Sequence, residues 1–441
     1  MKEALKKIII WKLGLIARMY LWRFKPMIIA VTGNVGKTST KEAITAVLSG
    51  ARTVRSGKGN LNNELGVPLV ITGDWTDEYY EGGNTFWFWT RVLFFSFSGW
   101  FFTRNYPDVL ILEYGADRPG DIKKLVQKFS PRIGVVTAIG ETPVHVEFFS
   151  GPEGVAAEKA RLVEALKPID YAILNCDDDI VLNMKKKTRA KVLTFGFSEG
   201  AGIRISNFNY KTEGYMPVGA SFKIHYGGEH LPAGRQGFVP VNINGSLGRS
   251  QAYAASAAAA VGIALGMNLV QISDSLSHYA GPKGRLKILA GIKNSWLIDD
   301  TYNASPASTH LALDALKELP AKRRVAVLGD MLELGKYTIQ AHQAIGDLAG
   351  GFADVLVCVG ARSKFIADSA ANQMRKENIH LFETSELAKN KVQELIREGD
   401  LILIKGSQGM RMEMIVEEIM AEPQRKKELL VRQSKNWLSK Q

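Results

Sequence analysis

Short apolar runs rich in β-branched residues alternate along most of this chain with stretches whose apolar positions recur every three or four residues. "MIIAVTG" from Met27 reads as a buried strand, and "KTSTKEAITAVLSG" after it as a helix stopped at Gly50. "DVLILEYGA" (108–116), "RIGVVTAI" (132–139) and "YAILNCDD" (171–178) repeat the strand pattern, each followed by turn or helix signals. Strands spaced by helices predict an α/β fold with a mainly parallel sheet. Residues 203–245 change to short alternating segments with Gly and Pro turns, which predicts a β-rich insert with "GGEHLPAGRQG" as its exposed tip. The alanine-rich "SQAYAASAAAAVGIALG" then reads as a helix. Past "GPKGRLKIL" (281–289) four further strand-like runs, "SWLIDDTYNASP", "RRVAVLGDM", "VLVCVG" and "LILIKGS", predict a second, smaller α/β unit.

The pattern divides the chain into an N-terminal helix (1–26), a central unit (27–290), a C-terminal unit (291–420) and a basic tail (421–441) expected as a surface helix. The N-terminal segment "MKEALKKIIIWKLGLIARMYLWRFKP" is basic and aromatic, with Lys12, Arg18 and Arg23 interrupting its apolar run. It falls short of the roughly 20 apolar residues of a membrane span, and it carries no small-residue cleavage site. Two readings remain: a helix lying in a membrane interface, or a helix packed on the protein body. Inside the central unit, residues 73–107 ("GDWTDEYYEGGNTFWFWTRVLFFSFSGWFFTRNYP") are denser in aromatics than a connection between strands requires. They read as a helical hairpin covering the sheet or as a second lipid contact, and the lipid reading is preferred, because exposed aromatics in that number are otherwise an aggregation liability.

Composition narrows the class. With 46% hydrophobic and 23% charged residues the chain is neither disordered nor fibrous. The formal charge of +12, from 56 Lys and Arg against 44 Asp and Glu, implies acidic company (nucleotides, phosphorylated substrates or an anionic membrane) or serves solubility alone. No nucleic-acid recognition module is visible, so no nucleic-acid partner is expected. Cys176 and Cys358 lack metal-like spacing, so neither a disulfide framework nor a zinc site is indicated, which fits a reducing cytoplasm. The expected location is cytoplasmic, with peripheral contact on the inner face of the membrane through 1–26 and 73–107.

The candidate chemistry starts at "VTGNVGKTST" (31–40). Gly33 and Gly36 free backbone N–H groups of Gly33, Asn34, Val35 and Gly36 to close around phosphate oxygens, and the helix beginning near Lys37, Thr38 and Ser39 points its positive end at the same anion. Lys37 would reach the β- and γ-phosphates and Thr38 would ligate Mg²⁺. Val31 stands where the general Gly-x-x-x-x-Gly-Lys-[Ser/Thr] pattern has its first glycine, so the motif is a shortened one.

"VTGNVGKTS" resembles the phosphate loop of the Mur ligases, which use ATP to join an amino acid or peptide to a carboxylate during cell-wall synthesis. "GNLNNELGVP" (59–68), "LEYGADRPGDI" (112–122), "HVEFFSGPEGVAAEKARL" (145–162), "IDDTYNASP" (298–306), "VLGDMLELG" (327–335) and "IKGSQGMRMEMIV" (404–416) resemble, in order, the MurF branch, which adds D-alanyl-D-alanine to a UDP-muramoyl-tripeptide. The resemblance implies a central ATPase domain, a Rossmann-like C-terminal domain acting as a mobile lid, and ATP and Mg²⁺ as cofactors. It implies that Glu113 and His145 bind Mg²⁺ and that Lys159 becomes carbamylated and helps hold a second Mg²⁺. Asn60, Asn62 and Asn63 would hold substrate near the γ-phosphate, and Arg285, Asp300 and Asn303 would meet the nucleotide where the domains close. Asp330, Glu333 and Lys405 would line the site for the incoming amine. The partners implied are a cell-wall precursor acceptor and an amino acid or dipeptide donor.

Two departures accompany the resemblance. Full-length members carry a UDP-binding domain ahead of the phosphate loop, whereas 26 residues precede Met27 here. The expectation is a core without that domain, its acceptor recognised through a separate acceptor-binding protein or a lipid carrier. Where the family has Gly-x-His-Asn and a later Asn, this chain has Leu247, Gly248 and Gln251, which puts nucleotide-side contacts in doubt. The rival readings are a ligase for a lipid-linked or poly-amino-acid acceptor, and an ATP-binding membrane scaffold without ligase activity.

Overall fold

Each strand-like run before residue 250 joins one sheet. The computed structural model describes residues 3–57, 59, 61–82, 85–141, 146–227 and 237–439, with Glu3 described by its backbone alone. The strands β1 (Met27–Thr32), β2 (Val54–Ser56), β3 (Val109–Glu113), β4 (Ile133–Val136), β5 (Tyr171–Asn175), β6 (Lys191–Gly196), β7 (Ile203–Glu213), β8 (Met216–Tyr226) and β9 (Gly237–Asn244) lie in the order β2-β3-β1-β4-β5-β6-β7-β8-β9. Pairing is parallel from β2 through β7 and antiparallel from β7 to β9. The β-rich stretch forms as expected and continues the main sheet: β7 pairs with β6, and the meander extends it. Alternation explains this, since Ile203, Ile205, Phe222, Ile224, Val241 and Ile243 all turn one face into the sheet's core. The "GGEHLPAGRQG" tip lies, apart from Gly227 and Gly237, outside the described residues.

Both faces of the parallel portion are covered, which is why its strands read as continuous apolar runs. Along β1, Ile28 and Ala30 enter one core while Ile29 and Val31 enter the other. The helices used below are α1 (Glu3–Phe24), α2 (Lys37–Ser49), α3 (Gly66–Thr72), α4 (Thr76–Glu81), α5 (Phe86–Phe102), α6 (Asp121–Lys128), α7 (Pro152–Glu164), α8 (Asp179–Leu182) and α9 (Arg249–Ala264). In α9 the alanines from Ala254 to Ala260 are buried, because α9 packs closely both on strands β5 to β7 and along α2, where larger side chains would hold the elements apart.

α1 reconciles two readings that the sequence left open. Its inner face, Ile9, Leu13, Ile16 and Tyr20, is buried against α3 and α5. Each such side chain contributes about 1.5–3 kcal/mol relative to exposure, so the helix is firmly docked. Tyr20 Oη donates to Ser96 O at 3.0 Å and Trp100 Nε1 to Met19 O at 3.0 Å, tying α1 to α5. The outer face of the same helix leaves Ile8, Trp11, Leu15 and Trp22 exposed. Among the described residues no helix is long and apolar enough to cross a membrane.

The second sheet, in the order β10-β11-β15-β12-β13-β14, comprises β10 (Lys287–Ala290), β11 (Trp296–Asp300), β12 (Arg323–Gly329), β13 (Val355–Val359), β14 (Ile379–Phe382) and β15 (Asp400–Lys405). It is parallel except for the edge strand β10. The tail forms two short helical turns, Lys426–Leu429 and Lys435–Leu438, in place of the expected surface helix. Leu430 and the Arg432 side chain between them are buried.

Candidate active site

Two strand registers assemble the chemistry. Val31 of β1 lies beside Glu113 of β3, so the chain leaves β1 for its glycine loop next to that carboxylate. Thr38 Oγ1 donates to Glu113 Oε2 at 3.2 Å, and Asn62 Nδ2 to Glu113 Oε1 at 3.3 Å. In the second sheet Asp300 lies beside Lys405, whose Nζ donates to Asp300 Oδ2 at 2.6 Å and to Asn303 O at 2.9 Å. Both members of that pair are buried, and burial pushes the Lys405 ammonium below its ordinary value against the pull of Asp300.

The loop's geometry depends on glycine. Gly33 has φ +143°, and a Cβ there would stand 2.0 Å from Thr137 Oγ1; Gly36, at φ +86°, caps α2. Asn34 N and Val35 N donate to Ala138 O at 2.7 and 3.2 Å. Those two amides are therefore spent within the protein, and the anion-facing donors are the N–H groups of the first turn of α2, which have no intrahelical acceptor. Lys159 Nζ donates to Gly33 O at 3.0 Å from behind the loop. Burial first, then the neighbouring Lys37 ammonium, push Lys159 down to about 7, against the pull of Asp117, Glu113 and Glu158. Burial likewise lowers Lys37, offset in part by Glu113. Glu158, adjacent to Lys159 on α7, accepts from Gly120 N, Ile122 N and Lys123 N at 2.9, 2.7 and 3.2 Å, fixing α7 to the start of α6.

A cavity of about 540 Å³ lies between the two sheets. The first supplies Asn34, Val35, Lys37, Thr38, Asn62, Asn63 and Glu113 to its wall; the second supplies Arg285, Asn303 and Glu333. Lys159, Asp300 and Lys405 sit behind this wall. Asp330 does not face the cavity, for its carboxylate accepts from Arg362 N at 3.0 Å and Ser363 N at 2.7 Å and so holds a turn. Ser39 is buried in α2. His145 and Asn60 lie outside the described residues. A second cavity of about 540 Å³, lined by Thr40, Asn175, Tyr253 and His310, shares Val35 with the first.

Several residues that complete this site carried no assignment from the sequence. Tyr302 lines the cavity with the Arg285 guanidinium 4.1 Å from its ring centre, and Arg285 Nε is buried without a hydrogen-bond acceptor in the protein. Tyr302 lies inside "IDDTYNASP", so the signal was present. Gln251 donates through Nε2 to Arg285 O at 2.9 Å and accepts from Tyr279 Oη at 2.6 Å, and Leu247 is fully buried. Gln251, standing where the resemblance expects an Asn, thus seats the Arg285 segment. Arg432 from the tail donates to Tyr302 O at 3.0 Å, to Thr301 O, and to Glu413 Oε2 at 2.7 Å. No local pattern could have tied a residue in the tail to this loop.

A glycine loop, lysine and carboxylate at the end of one parallel sheet, facing an arginine and an asparagine carried by the loops of another, define a two-unit nucleotide-dependent enzyme. The Mur ligase middle domain matches residues 101–262 and the Mur ligase glutamate ligase domain residues 284–408. A UDP-N-acetylmuramoyl-tripeptide–D-alanyl-D-alanine ligase of Rickettsia prowazekii is 30% identical over 399 residues, covering 89% of this chain and 78% of the relative. A crystal structure of MurF from Acinetobacter baumannii superposes with a TM-score of 0.73 at 26% identity, covering 92% of this chain and 79% of that one. MurF from Thermotoga maritima in complex with ADP gives a TM-score of 0.73 at 25% identity, covering 93% and 83%. The chain belongs to the Mur ligase family, in its MurF branch, and is an ATP-dependent ligase that forms carbon–nitrogen bonds.

Proposed function

We propose that the chain joins D-alanyl-D-alanine to the carboxylate of a muramoyl-peptide precursor of the cell wall. The observation that carries this reading is the shared cavity, where Lys37 and Glu113 face Arg285 and Asn303 across a space fit for a nucleotide and a carboxylate. An acceptor carboxylate oxygen attacks the γ-phosphorus of ATP, ADP leaves, and an acyl phosphate forms. The dipeptide amine then attacks the acyl carbon. Phosphate departs with the former carboxylate oxygen, and the new amide nitrogen loses a proton. Lys37, the first-turn amides of α2 and Arg285 stabilise charge on the transferring phosphoryl group. Gln251 and Tyr302 position Arg285. Asn62 orients Glu113, and the cleft between the units holds both reactants and excludes water. The nucleoside extends past Val35 into the second cavity, toward Asn175 and Tyr253.

The donor set suits Mg²⁺. Thr38 hydroxyl and Glu113 carboxylate oxygens converge at the loop, a hard-oxygen pair of the kind Mg²⁺ takes together with waters and phosphate oxygens. Thr38 and Glu113 would hold it, with His145 and a carbamylated Lys159 at a second site; bound there, Mg²⁺ supplies Lewis-acid neutralisation of phosphate charge. The depressed Lys159 amine is partly neutral near pH 7, the form able to add to carbon dioxide with loss of a proton. A second reading, in which the acceptor is lipid-linked or reaches the site on a separate acceptor-binding protein, keeps the same core and is favoured by the apolar face of α1 and α5.

The test incubates the full chain with ATP, Mg²⁺, D-alanyl-D-alanine and a UDP-muramoyl-tripeptide, with product mass and phosphate release both measured. The reading expects a UDP-muramoyl-pentapeptide and one phosphate per amide. Phosphate release only with a different acceptor would move the assignment to the second reading.

A further inference from the structure

Exposed large apolar side chains are not scattered over this molecule. Of the 22 among the described residues, 12 lie on α1 and α5. On α1 they form a stripe of Ile8, Trp11, Leu15 and Trp22, at the spacing that places residues on one helical face. This stripe is opposite the inner face of Ile9, Leu13, Ile16 and Tyr20, so the helix is apolar on two sides. On α5 the outward residues Trp87, Phe94 and Phe101 share a face, flanked by Phe86, Phe97 and Phe102. Trp87 is 80% exposed, Phe102 81% and Trp22 74%, values at odds with a face left in water.

The two helices lie side by side, and the seam between them is visible. Trp100 Nε1 of α5 bonds to Met19 O of α1, and the Arg23 guanidinium stands 5.7 Å from the Trp100 ring centre. Met19 and Arg23 border the outer stripe of α1, so the exposed stripes of the two helices form one continuous face. Basic groups border the α1 stripe: Lys7 and Arg18 on its outer side, at the rim of the joint face, and Lys12 and Arg23 on the side toward α5, all exposed. α5 contains no Asp or Glu, and Glu78 beside it is paired with Arg91 at 3.2 Å.

We propose that the face made by α1 and α5 is a docking surface for an anionic lipid bilayer, which the protein meets from one side without crossing. An apolar aromatic stripe bordered by Lys and Arg has the amphipathic form of interfacial helices, whose rings enter the headgroup boundary while the basic groups stay with lipid phosphates. The basic rim is what selects this occupant over a second copy of the chain, which would place like charges against each other. No residue of this face lines the cavity between the sheets, so docking and ligation are separable.

Co-sedimentation of the full chain with vesicles of phosphatidylcholine alone and vesicles rich in phosphatidylglycerol tests the proposal. The expected result is binding to the anionic vesicles, weakened by salt, and at least about tenfold weaker in Trp22→Glu/Trp87→Glu. Lys7→Gln/Lys12→Gln/Arg18→Gln is expected to lose most of the preference for anionic vesicles. Both variants alter exposed side chains, and each is checked for an unchanged melting temperature and unchanged ATP turnover without vesicles. Absence of vesicle binding by the unaltered chain overturns the proposal, as does equal binding by the Trp variant. A dimer in light scattering that dissociates in the Trp variant, with no vesicle binding, would assign the face to a second copy and overturn it too. Failure of ligation in the product assay leaves these outcomes unchanged, so the two readings fail separately.

Discussion

Lys159 stands behind the phosphate loop with its ammonium on the Gly33 carbonyl and Lys37 as its nearest like charge. Its folded value, about 7, lies below the ordinary lysine value. Between about pH 7 and about pH 10 the unfolded chain therefore binds a proton that the folded chain does not, so stability of the nucleotide-free protein rises with pH across that window. Urea unfolding at several pH values is expected to show this rise, flattened but not abolished in Lys159→Met, because Lys37 and Lys405 are depressed in the same direction. Parallel profiles for the two proteins would contradict the assigned environment. At this scale the sequence was legible where a residue's partners are local or motif-bound: Lys37 and Thr38 follow directly from the loop. It was silent on Arg432 and marked Gln251 only as a departure from the family pattern, because their partners at Arg285, Tyr302 and Glu413 are brought near only by folding. Nor does the motif around Asp330 reveal that its carboxylate holds the turn at Arg362 and Ser363, a contact made between distant segments.

Among the elements, the tail differs most from its sequence pattern. Its charges read as a solvated surface, yet Arg432 is inserted between Glu413 and the carbonyls of Thr301 and Tyr302, straddling the lead-in to the cavity. Arg432→Ala removes the guanidinium that donates to those two carbonyls and one of the two cations on Glu413, the other being Arg411 at 2.6 Å. The expected loss is about 2–4 kcal/mol in chemical unfolding, together with weaker nucleotide binding, because the Tyr302 ring under Arg285 loses its anchor. A change below about 0.5 kcal/mol would place Arg432 among ordinary surface residues. The parallel strands β1, β3, β4 and β5 were readable because burial on both faces produces unbroken apolar runs. β2 and β14, short and partly exposed, gave no such run. The meander β7–β9 was recognised as β-structure, but its union with the main sheet depends on the β6–β7 pairing, which no local pattern encodes.

For the molecule as a whole, the cavity exists only because the loops of the second sheet present Arg285 and Asn303 to a loop on the first, with the Asp300–Lys405 pair behind them holding Asn303 O. Under the proposed function the C-terminal unit would act as the lid that completes the charge arrangement around ATP. The proposed docking face on α1 and α5 supplies no residue to that cavity. The central claim is that the cavity activates a carboxylate by phosphorylating it, which predicts the fate of one atom. An acceptor carrying a heavy oxygen isotope in its reactive carboxylate, turned over with ATP and D-alanyl-D-alanine, should deliver one labelled oxygen to the released phosphate, read by mass spectrometry. Unlabelled phosphate accompanying amide formation would contradict an acyl phosphate and, with it, the role given to this cleft.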